Sequence, residues 1–133
     1  MNVTTQVGQV TTFRNAAAHL GPGGVFVIET MIPELRRLPP GDRFVVFDGS
    51  DRHWGVDEYD VANQGLISHH FDIHGDHVTK SSGPFRYVWP AELDLMAELA
   101  GLRLSERWAG WYREPFTSES RGHVSVWEKP PEA

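Results

Sequence analysis

The first third of the chain shows two hydrophobic patterns of different period. Four apolar residues recur every three or four positions and predict a helix over residues 7–20: Val10, Phe13, Ala17 and Leu20. A Gly-Pro pair then favours the end of this helix, because glycine accepts a left-handed backbone and proline cannot continue a helix. The next stretch, GVFVIETMI, is apolar without alternation from Val25 to Ile28. It predicts a strand covered on both faces, as in a parallel sheet between helices.

The middle of the chain alternates more regularly between polar and apolar residues. Three stretches predict antiparallel strands with one face in water: RFVVFDGS, HWGVDEYDVA and LISHHFDIH. Gly75 and Asp76 predict a two-residue turn, in which Gly75 supplies the positive φ of a type II′ hairpin. Residues 77–80 are expected to return beside the third stretch, and residues 81–84 to interrupt the strand pattern.

The last third of the chain predicts a strand, a helix and two more strands. After the interruption, three aromatic residues alternate on one face of a strand: Phe85, Tyr87 and Trp89. Pro90 suits the first turn of a helix, and Gly101 suits its end. This helix carries an apolar stripe of Leu93, Met96, Ala97 and Ala100. Two final strands, LRLSERWAGW and HVSVWEK, flank a loop over residues 112–122, and the order of elements predicts an α/β fold.

Length, charge and cysteine content narrow the class of protein. The 133 residues, 40% apolar and 23% charged, suit one globular domain over residues 1–133. The net charge of −6 disfavours binding to nucleic acid or to an anionic membrane, which needs clustered Lys and Arg. Without cysteine there is no disulfide, thiolate metal site or Cys nucleophile. The N-terminus does not resemble a signal peptide, and no apolar run approaches the ~20 residues of a membrane span. We therefore expect a cytoplasmic protein.

Two long strings carry a family resemblance. FRNAAAHLGPGGVFVIE followed by PEL resembles the helix and fifth strand of class I S-adenosylmethionine (SAM)-dependent methyltransferases of actinobacterial type. RYVWPAELDLMAELAGLRLSERWAGW, PFTSES and HVSVWEK resemble the last helix and last two strands of that family. The antiparallel block at about 42–89 is similar to the insertion that forms a substrate lid in sugar N-methyltransferases. The resemblance implies a partial Rossmann-like fold, the C-terminal half of such an enzyme.

The half of the family's fold that grips SAM has no counterpart in this sequence. That half carries a GxGxG loop after its first strand and an acidic residue for the ribose, because the ligand needs close backbone approach and a carboxylate. The glycine cluster at residues 21–24 ends a helix and precedes a strand, so it predicts a helix cap instead. By resemblance the cofactor is SAM, but we expect the isolated chain to bind no cofactor.

Histidines cluster in the predicted hairpin around Gly75. His70, Asp72 and His74 fall at alternate positions on one strand face, and imidazole together with carboxylate can ligate a metal ion. No recognised ligand motif completes this set. The alternative is a solvated strand face with incidental histidines, and no metal is then expected.

Aromatic residues are dense for a chain of this length. In a methyltransferase-like fold, part of this set would wall a substrate pocket suited to a planar or apolar small molecule. The candidates for substrate binding are Trp54, Tyr87, Trp89, Trp108 and Trp111. The alternative for each of them is ordinary core packing.

Three residues are candidates for proton chemistry. Glu29 ends the first predicted strand, where ligands of open α/β sheets gather, and can orient or deprotonate a substrate group. Tyr87 has a hydroxyl that can donate a hydrogen bond or act as a weak acid, and His123 can carry a proton. The alternatives are a hydrogen bond to a neighbouring loop for Glu29 and a solvent-exposed strand end for His123.

Three functions stay open from the sequence. The first is a methyltransferase-like protein that lacks the cofactor-binding half and retains a pocket for a natural-product-like small molecule. The second is a cofactor-independent cyclase or isomerase of secondary metabolism, and the third is a non-catalytic partner subunit of a methyltransferase. Loss of the neighbouring strand would leave GVFVIETMI with an unpaired apolar edge. We therefore expect a homodimer or a complementary methyltransferase half to cover that edge.

Overall fold

The structure, a computed structural model, describes residues 1–131 of the chain. These residues form two compact units. The sheet unit comprises Met1–Thr4 and Glu34–Tyr87. The helical unit comprises Thr5–Pro33 and the chain from Val88 onward. No helix within residues 1–131 has the length and apolarity that crossing a membrane would require.

The helical unit packs two helices against a three-stranded antiparallel sheet. Its helices and strands are α1 (Gln6–His19), β1 (Val25–Met31), α2 (Pro90–Leu99), β6 (Arg103–Trp108) and β7 (Gly122–Glu128). The strand order is β1-β7-β6, so β7 lies in the centre. The predicted α/β, partly Rossmann-like fold and the positions of both helices are confirmed.

Local sequence fixes where the helices begin and end. The side chain of Thr5 accepts a hydrogen bond from the backbone N–H of Gly8 and caps α1. Pro90 occupies the first turn of α2, where its missing N–H costs nothing, and Gly101 follows that helix with φ of 75°. Gly23, with φ of 74°, closes the turn between α1 and β1.

The core of the helical unit is aromatic. The ring of Phe13 meets the rings of Phe26 and Trp127 edge-on, at centroid distances of 5.1 and 5.2 Å. Phe13 and Trp127 are fully buried. Edge-to-face packing of this kind adds about 0.5–1.5 kcal/mol per pair beyond the burial itself. It joins α1 to β1 and β7 near the first residues of β1.

One prediction about β1 is wrong. Within residues 1–131, β1 pairs with β7 alone and runs antiparallel to it, rather than lying inside a parallel sheet. Its residues alternate between half-buried and exposed, and Val25 and Val27 are 48% and 38% exposed. A short apolar run therefore marked a strand correctly but did not reveal that only one of its faces is covered.

The sheet unit is a four-stranded antiparallel meander. Its strands are β2 (Phe44–Gly49), β3 (His53–Asp60), β4 (Gly65–His74) and β5 (His77–Arg86), in that spatial order. The predicted turn at Gly75 is confirmed, with φ of 66° and His74 paired with His77 across it. A small core lies on one face of the sheet and contains Val45, Tyr59, Leu66 and Tyr87.

Two further predictions in this unit are wrong. Residues 81–84 do not interrupt the strand, because Ser81 pairs with His70 and Pro84 with Ile67 in an unbroken ladder. Proline is tolerated there since β5 is an edge strand and needs hydrogen bonds on one side only. The strand then ends at Arg86, so Tyr87 and Trp89 lie beyond it.

Candidate functional site

A groove opens in the helical unit where β1 ends and α2 begins. It has a volume of about 350 Å³, and we refer to it as the β1-end groove. Its lining residues are Ile32, Trp89, Pro90, Phe116, Thr117, Ser118 and Ser120. Ligands of open α/β sheets collect outside the carboxyl ends of strands. The position at the carboxyl end of β1 and the mixed aromatic and hydroxyl lining make this groove the candidate site.

A chain of polar side chains runs beneath the helices beside this groove. Arg107 donates two hydrogen bonds to Asp94, with Nη2–Oδ1 of 2.6 Å and Nη1–Oδ2 of 3.2 Å. The Nε of Arg107 lies 2.7 Å from Ser125 Oγ, and that oxygen lies 2.7 Å from His123 Nδ1. The indole Nε1 of Trp127 donates to Asp94 Oδ1 at 3.0 Å. The chain thus links α2, β6 and β7 and terminates at an imidazole.

His123 is buried, against the alternative that it is a solvent-exposed strand end. Burial, aided by the positive charge of Arg107 and opposed by Asp94, lowers the pKa of His123 to about 4. The ring is therefore neutral near pH 7. Within residues 1–131 its Nε2 atom has no hydrogen-bond partner. The ring lies 5.9 Å from that of Phe116, which lines the groove.

A second polar chain crosses the sheet unit. His53 Nδ1 lies 2.5 Å from Asp48 Oδ2, and His53 Nε2 lies 3.0 Å from His70 Nδ1. His70 Nε2 lies 3.3 Å from Ser68 Oγ, and Ser68 also hydrogen-bonds to Asp57. Burial raises the pKa of Asp57, although the bond from Ser68 opposes that shift. Both ring nitrogens of His70 are therefore engaged by protein groups.

The metal site considered from the sequence, at His70, Asp72 and His74, is not assembled among the described residues. His70, Asp72 and His74 do lie at alternate positions of β4, as predicted. In the described part of the chain, however, no three His, Cys, Asp or Glu side chains are placed to hold a metal ion together. His70 belongs instead to the carboxylate–imidazole chain of the sheet unit.

Two of the sequence candidates lie at the β1-end groove and the others do not. Trp89 lines it, and His123 lies beside its Phe116 wall. Glu29 is on the exposed face of β1. The remaining candidates lie elsewhere: Trp54 on β3, Trp108 at the end of β6 under the guanidinium of Arg113, and Trp111 in an exposed loop.

Tyr87 belongs to the small core of the sheet unit. Its ring lies 5.6 Å from that of Tyr59 and is almost fully buried. Burial raises the pKa of the Tyr87 hydroxyl, Asp60 adds to the rise, and Arg86 opposes it. A phenol whose ionisation is disfavoured in this way is a poor acid near pH 7, so the packing alternative fits this residue better.

The sheet unit has a wider groove of its own, of about 670 Å³. Its lining combines apolar side chains such as Tyr59, Leu66 and Phe85 with charged ones such as Arg43 and Glu58. It contains none of the sequence candidates. The mostly exposed side chain of Arg43 lies 3.4 Å from the half-buried carboxylate of Glu58, and a pair screened in this way contributes little to folding.

The glycine cluster at residues 21–24 does not form a cofactor-binding loop. Residues 21–24 form a tight turn, in which the N–H of Gly24 donates to the carbonyl of Gly21 and that of Gly23 to the carbonyl of Lys129. These N–H groups are therefore unavailable to a ligand. The Nζ of Lys129 donates to the carbonyls of Ala17 and Leu20 at the end of α1. The glycine cluster is thus the helix cap that the sequence predicted.

Comparison with known proteins identifies the fold. No protein-family model matches the sequence, and no curated protein does. The structure of the CcbJ methyltransferase from Streptomyces caelestis is 36% identical in sequence, with a TM-score of 0.84, over 97% of this chain and 53% of that chain. A SAM-dependent methyltransferase from Clostridium acetobutylicum is 11% identical, with a TM-score of 0.72, over 97% of this chain and 54% of that one.

A third methyltransferase structure shares the fold of this chain. CalS10, an amino pentose methyltransferase from Micromonospora echinaspora involved in calicheamicin biosynthesis, is 21% identical, with a TM-score of 0.57, over 94% of this chain and 52% of that one. The chain therefore spans about half the length of the methyltransferases it matches. The resemblance predicted from the sequence is confirmed for the fold.

Proposed function

Since the chain has the fold of about half of a SAM-dependent methyltransferase, we propose that it is the substrate-binding part of such an enzyme. The acceptor is a small, natural-product-like molecule. Methyl transfer requires a separate cofactor-binding part, and the chain alone does not bind SAM.

The observation that carries the proposal is that the structural match covers nearly all of this chain but only about half of the other protein. Nearly all of this chain, 97%, superposes on a methyltransferase that extends for about as much again. The N–H groups of Gly23 and Gly24 donate to the protein's own carbonyls, so they are not free to bind a cofactor. What this chain keeps is a groove at a strand end with an aromatic and hydroxyl lining.

The lining supports a small ring-shaped acceptor. Trp89 and Phe116 offer ring faces, and Thr117, Ser118 and Ser120 offer hydroxyls along one wall. A volume of about 350 Å³ lies at the lower end of the ~300–1,000 Å³ of ligand pockets. CalS10 is an amino pentose methyltransferase, which motivates the choice of small amines and amino sugars as first candidates.

The exposed edge of β1 supports the need for a partner. Among the described residues, β1 has one neighbouring strand, and its uncovered face presents Val25, Val27 and Met31. An apolar edge strand with unpaired backbone groups favours association. A complementary cofactor-binding part would pair with this edge and cover the exposed face beside it, and a homodimer through β1 is the competing arrangement.

Reconstitution tests the proposal. The portion of the CcbJ methyltransferase that this chain does not match is co-expressed with it, and the purified material is assayed for association, SAM binding and transfer of labelled methyl groups to a panel of amino sugars and small amines. We expect a complex that binds SAM and labels at least one acceptor. The chain alone is expected to do neither.

Matched variants make the assay specific. Val27→Lys places a charge on the exposed face of β1 and is expected to abolish the complex. Leu95→Lys changes an exposed apolar residue of α2 and is expected to leave the complex intact. Equal effects of the two substitutions would exclude β1 as the docking edge, and a complex that binds SAM but labels no acceptor would contradict the proposed function.

A further inference from the structure

We propose that the chain carries a second site, a serine esterase triad on the face of the sheet unit opposite its small core. Ser82 is the nucleophile, His69 is its general base, and Glu58 positions the imidazole. The substrates are small esters with a short apolar acyl group. The site lies wholly within the sheet unit, and it does not depend on the function proposed for the β1-end groove.

Three polar side chains from neighbouring strands meet on this face. Glu58 lies on β3, His69 on β4 and Ser82 on β5, and the β4–β5 ladder pairs His69 with Ser82 directly. Successive residues of a strand point to opposite faces, so all three lie opposite the core residues Tyr59 and Leu66. Ser82 Oγ lies 2.7 Å from His69 Nδ1, and His69 Nε2 lies 3.0 Å from Glu58 Oε2. A hydroxyl, an imidazole and a carboxylate in this order form the arrangement of a catalytic triad.

The carboxylate of Glu58 fixes which ring nitrogen of His69 is the base. A carboxylate has acceptors only, so Nε2 of the neutral ring bears the hydrogen and donates it to Oε2. Nδ1 then holds the lone pair, and the hydroxyl of Ser82 donates to it. The Nε of Arg43 lies 3.4 Å from the other carboxylate oxygen and holds Glu58 from its far side. The serine hydroxyl is therefore directed at a base, as activation of a nucleophile requires.

The nucleophile and its base can be reached from solvent. Ser82 is exposed, and the side chain of His69 is 15% exposed. The strand β5 is an edge strand, and the N–H of Arg86 on it donates outward to the carbonyl of Met1. In an antiparallel ladder this direction recurs at every second residue, so the N–H of Ser82 also points off the edge. There it can donate to the oxygen that becomes negative when Oγ attacks an ester carbonyl.

The wider groove of the sheet unit, of about 670 Å³, supplies room for the acyl group. Glu58 lines this groove together with Ile67 and Pro84. Ile67 and Pro84 pair across the ladder, and they lie two residues from His69 and Ser82 on the same face. They therefore form an apolar surface next to the nucleophile, on which a short acyl chain can pack while its carbonyl carbon meets Ser82 Oγ.

These groups can carry out each step of ester hydrolysis. Ser82 Oγ bonds to the carbonyl carbon as its proton passes to His69 Nδ1, and the imidazolium gives this proton to the alkoxide as the ester C–O bond breaks. An alcohol leaves, and the acyl group stays on Ser82. Water then attacks the acyl carbon and gives a proton to Nδ1, which returns it to Oγ as the carboxylic acid leaves. One water is consumed, and both residues regain their starting state.

Covalent labelling tests the nucleophile. A fluorophosphonate probe modifies serines that a neighbouring base activates, and peptide fragmentation in a mass spectrometer locates the label. We expect the label at Ser82 in the parent chain, its loss in Ser82→Ala and its retention in Ser81→Ala. Ser81 is the matched control, because it is exposed on the same strand but points to the opposite face. An unlabelled parent chain, or a label at Ser81 instead, would overturn the inference.

Hydrolysis of p-nitrophenyl butyrate tests the base. We expect Ser82→Ala and His69→Ala each to lower kcat/KM at least about 100-fold, and Ser81→Ala to leave it unchanged. Far-ultraviolet circular dichroism checks that each variant keeps its sheet. If Ser82→Ala hydrolysed the ester as fast as the parent chain, the imidazole would be attacking the ester by itself, which would contradict the proposed triad.

A split between kcat and KM tests the positioning role of Glu58. We expect Glu58→Gln to lower kcat about tenfold with little change in KM, the effect of one lost hydrogen bond to a charged group. Ile67→Ala is expected to raise KM with little change in kcat, because it removes apolar contact area from the groove. A Glu58→Gln variant that changes KM alone would mean that Glu58 does not orient the base.

Discussion

Arg107 and Asp94 meet side by side, with both terminal nitrogens of the guanidinium donating to the two carboxylate oxygens, at 2.6 and 3.2 Å. Because Arg107 is largely buried, a point-charged amine cannot replace this planar fork. We expect Arg107→Lys to lower the free energy of unfolding by about 2 kcal/mol, since it also leaves Ser125 without its donor. Equilibrium denaturation in urea measures the effect.

Arg43 provides the matched control, since its side chain is mostly exposed and meets the Glu58 carboxylate through one contact of 3.4 Å. Arg43→Lys is expected to change stability by less than about 0.5 kcal/mol. If the two substitutions had similar effects, the buried hydrogen bonds of Arg107 to Asp94 and Ser125 would not stabilise the fold as their geometry indicates.

The buried imidazole of His123 should make stability depend on pH. Its pKa is about 4 in the folded protein and 6.5 ordinarily, so the unfolded chain binds the proton more readily. Its contribution is complete above about pH 6.5 and is lost as the pH falls towards 4, because protonation then favours unfolding. The loss over this range is about 3 kcal/mol at most.

The His123→Asn variant isolates this contribution, because asparagine does not titrate. We expect the stability difference between the parent chain and this variant to shrink by up to about 3 kcal/mol as the pH is lowered from about 7 to 4. A difference that stays constant over that range would mean that the folded chain accommodates the charged imidazole.

Gly55 is required by the ring of Phe47. A Cβ atom at position 55 would lie 2.2 Å from Cε2 of Phe47, and this ring also contacts that of His70. We expect Gly55→Ala to displace Phe47 and to destabilise the sheet unit by about 1 kcal/mol. Gly49→Ala is the control, since a Cβ there meets no atom within 4 Å. Thermal unfolding of both variants measures the change in stability, and near-ultraviolet circular dichroism reports whether Phe47 is displaced.

Asp57 should make the stability of the sheet unit depend on pH. Burial raises the pKa of its carboxyl, while the hydrogen bond with Ser68 and the nearby His70 and His69 oppose that rise. The folded chain therefore holds the proton of this carboxyl more tightly than the unfolded chain does. Ionisation of this carboxyl therefore lowers stability as the pH rises.

Asp57→Asn replaces this carboxyl by an amide that does not ionise, and so removes the cost of burying the charge. We expect the variant to be more stable than the parent near pH 7, with a difference that closes as the pH falls below the ordinary carboxyl pKa of 3.8. Asp76→Asn, in the exposed turn, is expected to show no such trend. A less stable Asp57→Asn variant near pH 7 would show that the ionised carboxylate is the better partner of Ser68.

The local patterns predicted most of the fold, because they depend on neighbouring residues. The period of the apolar residues located α1, and Pro90 and Gly101 marked the limits of α2. Whether one face of β1 or both are buried depends on residues distant in sequence. The apolar run of this strand is compatible with both arrangements. Pro84 indicated a break, although its position on an edge strand allows it to pair.

The site was predictable in part. The sequence offers Trp89 as one of a dense set of aromatic residues and His123 as a strand-end histidine, and the structure places these two at or beside the β1-end groove. The network behind His123 needed Asp94 from α2 and Arg107 from β6, which no spacing in the sequence brings together. Ser125 did carry a signal, since it follows His123 at the two-residue period of one strand face. Phe116 lies in a loop without periodicity, so no sequence pattern indicated it as a site residue.

A calorimetric titration of the purified chain with SAM tests the central claim most directly. The claim is that this chain holds the substrate side of a methyltransferase and requires another part to bind the cofactor. We predict no heat of binding from the folded chain at SAM concentrations up to about 1 mM, a level at which even weak specific sites are detected. Binding of SAM by the chain alone at micromolar affinity would contradict this account.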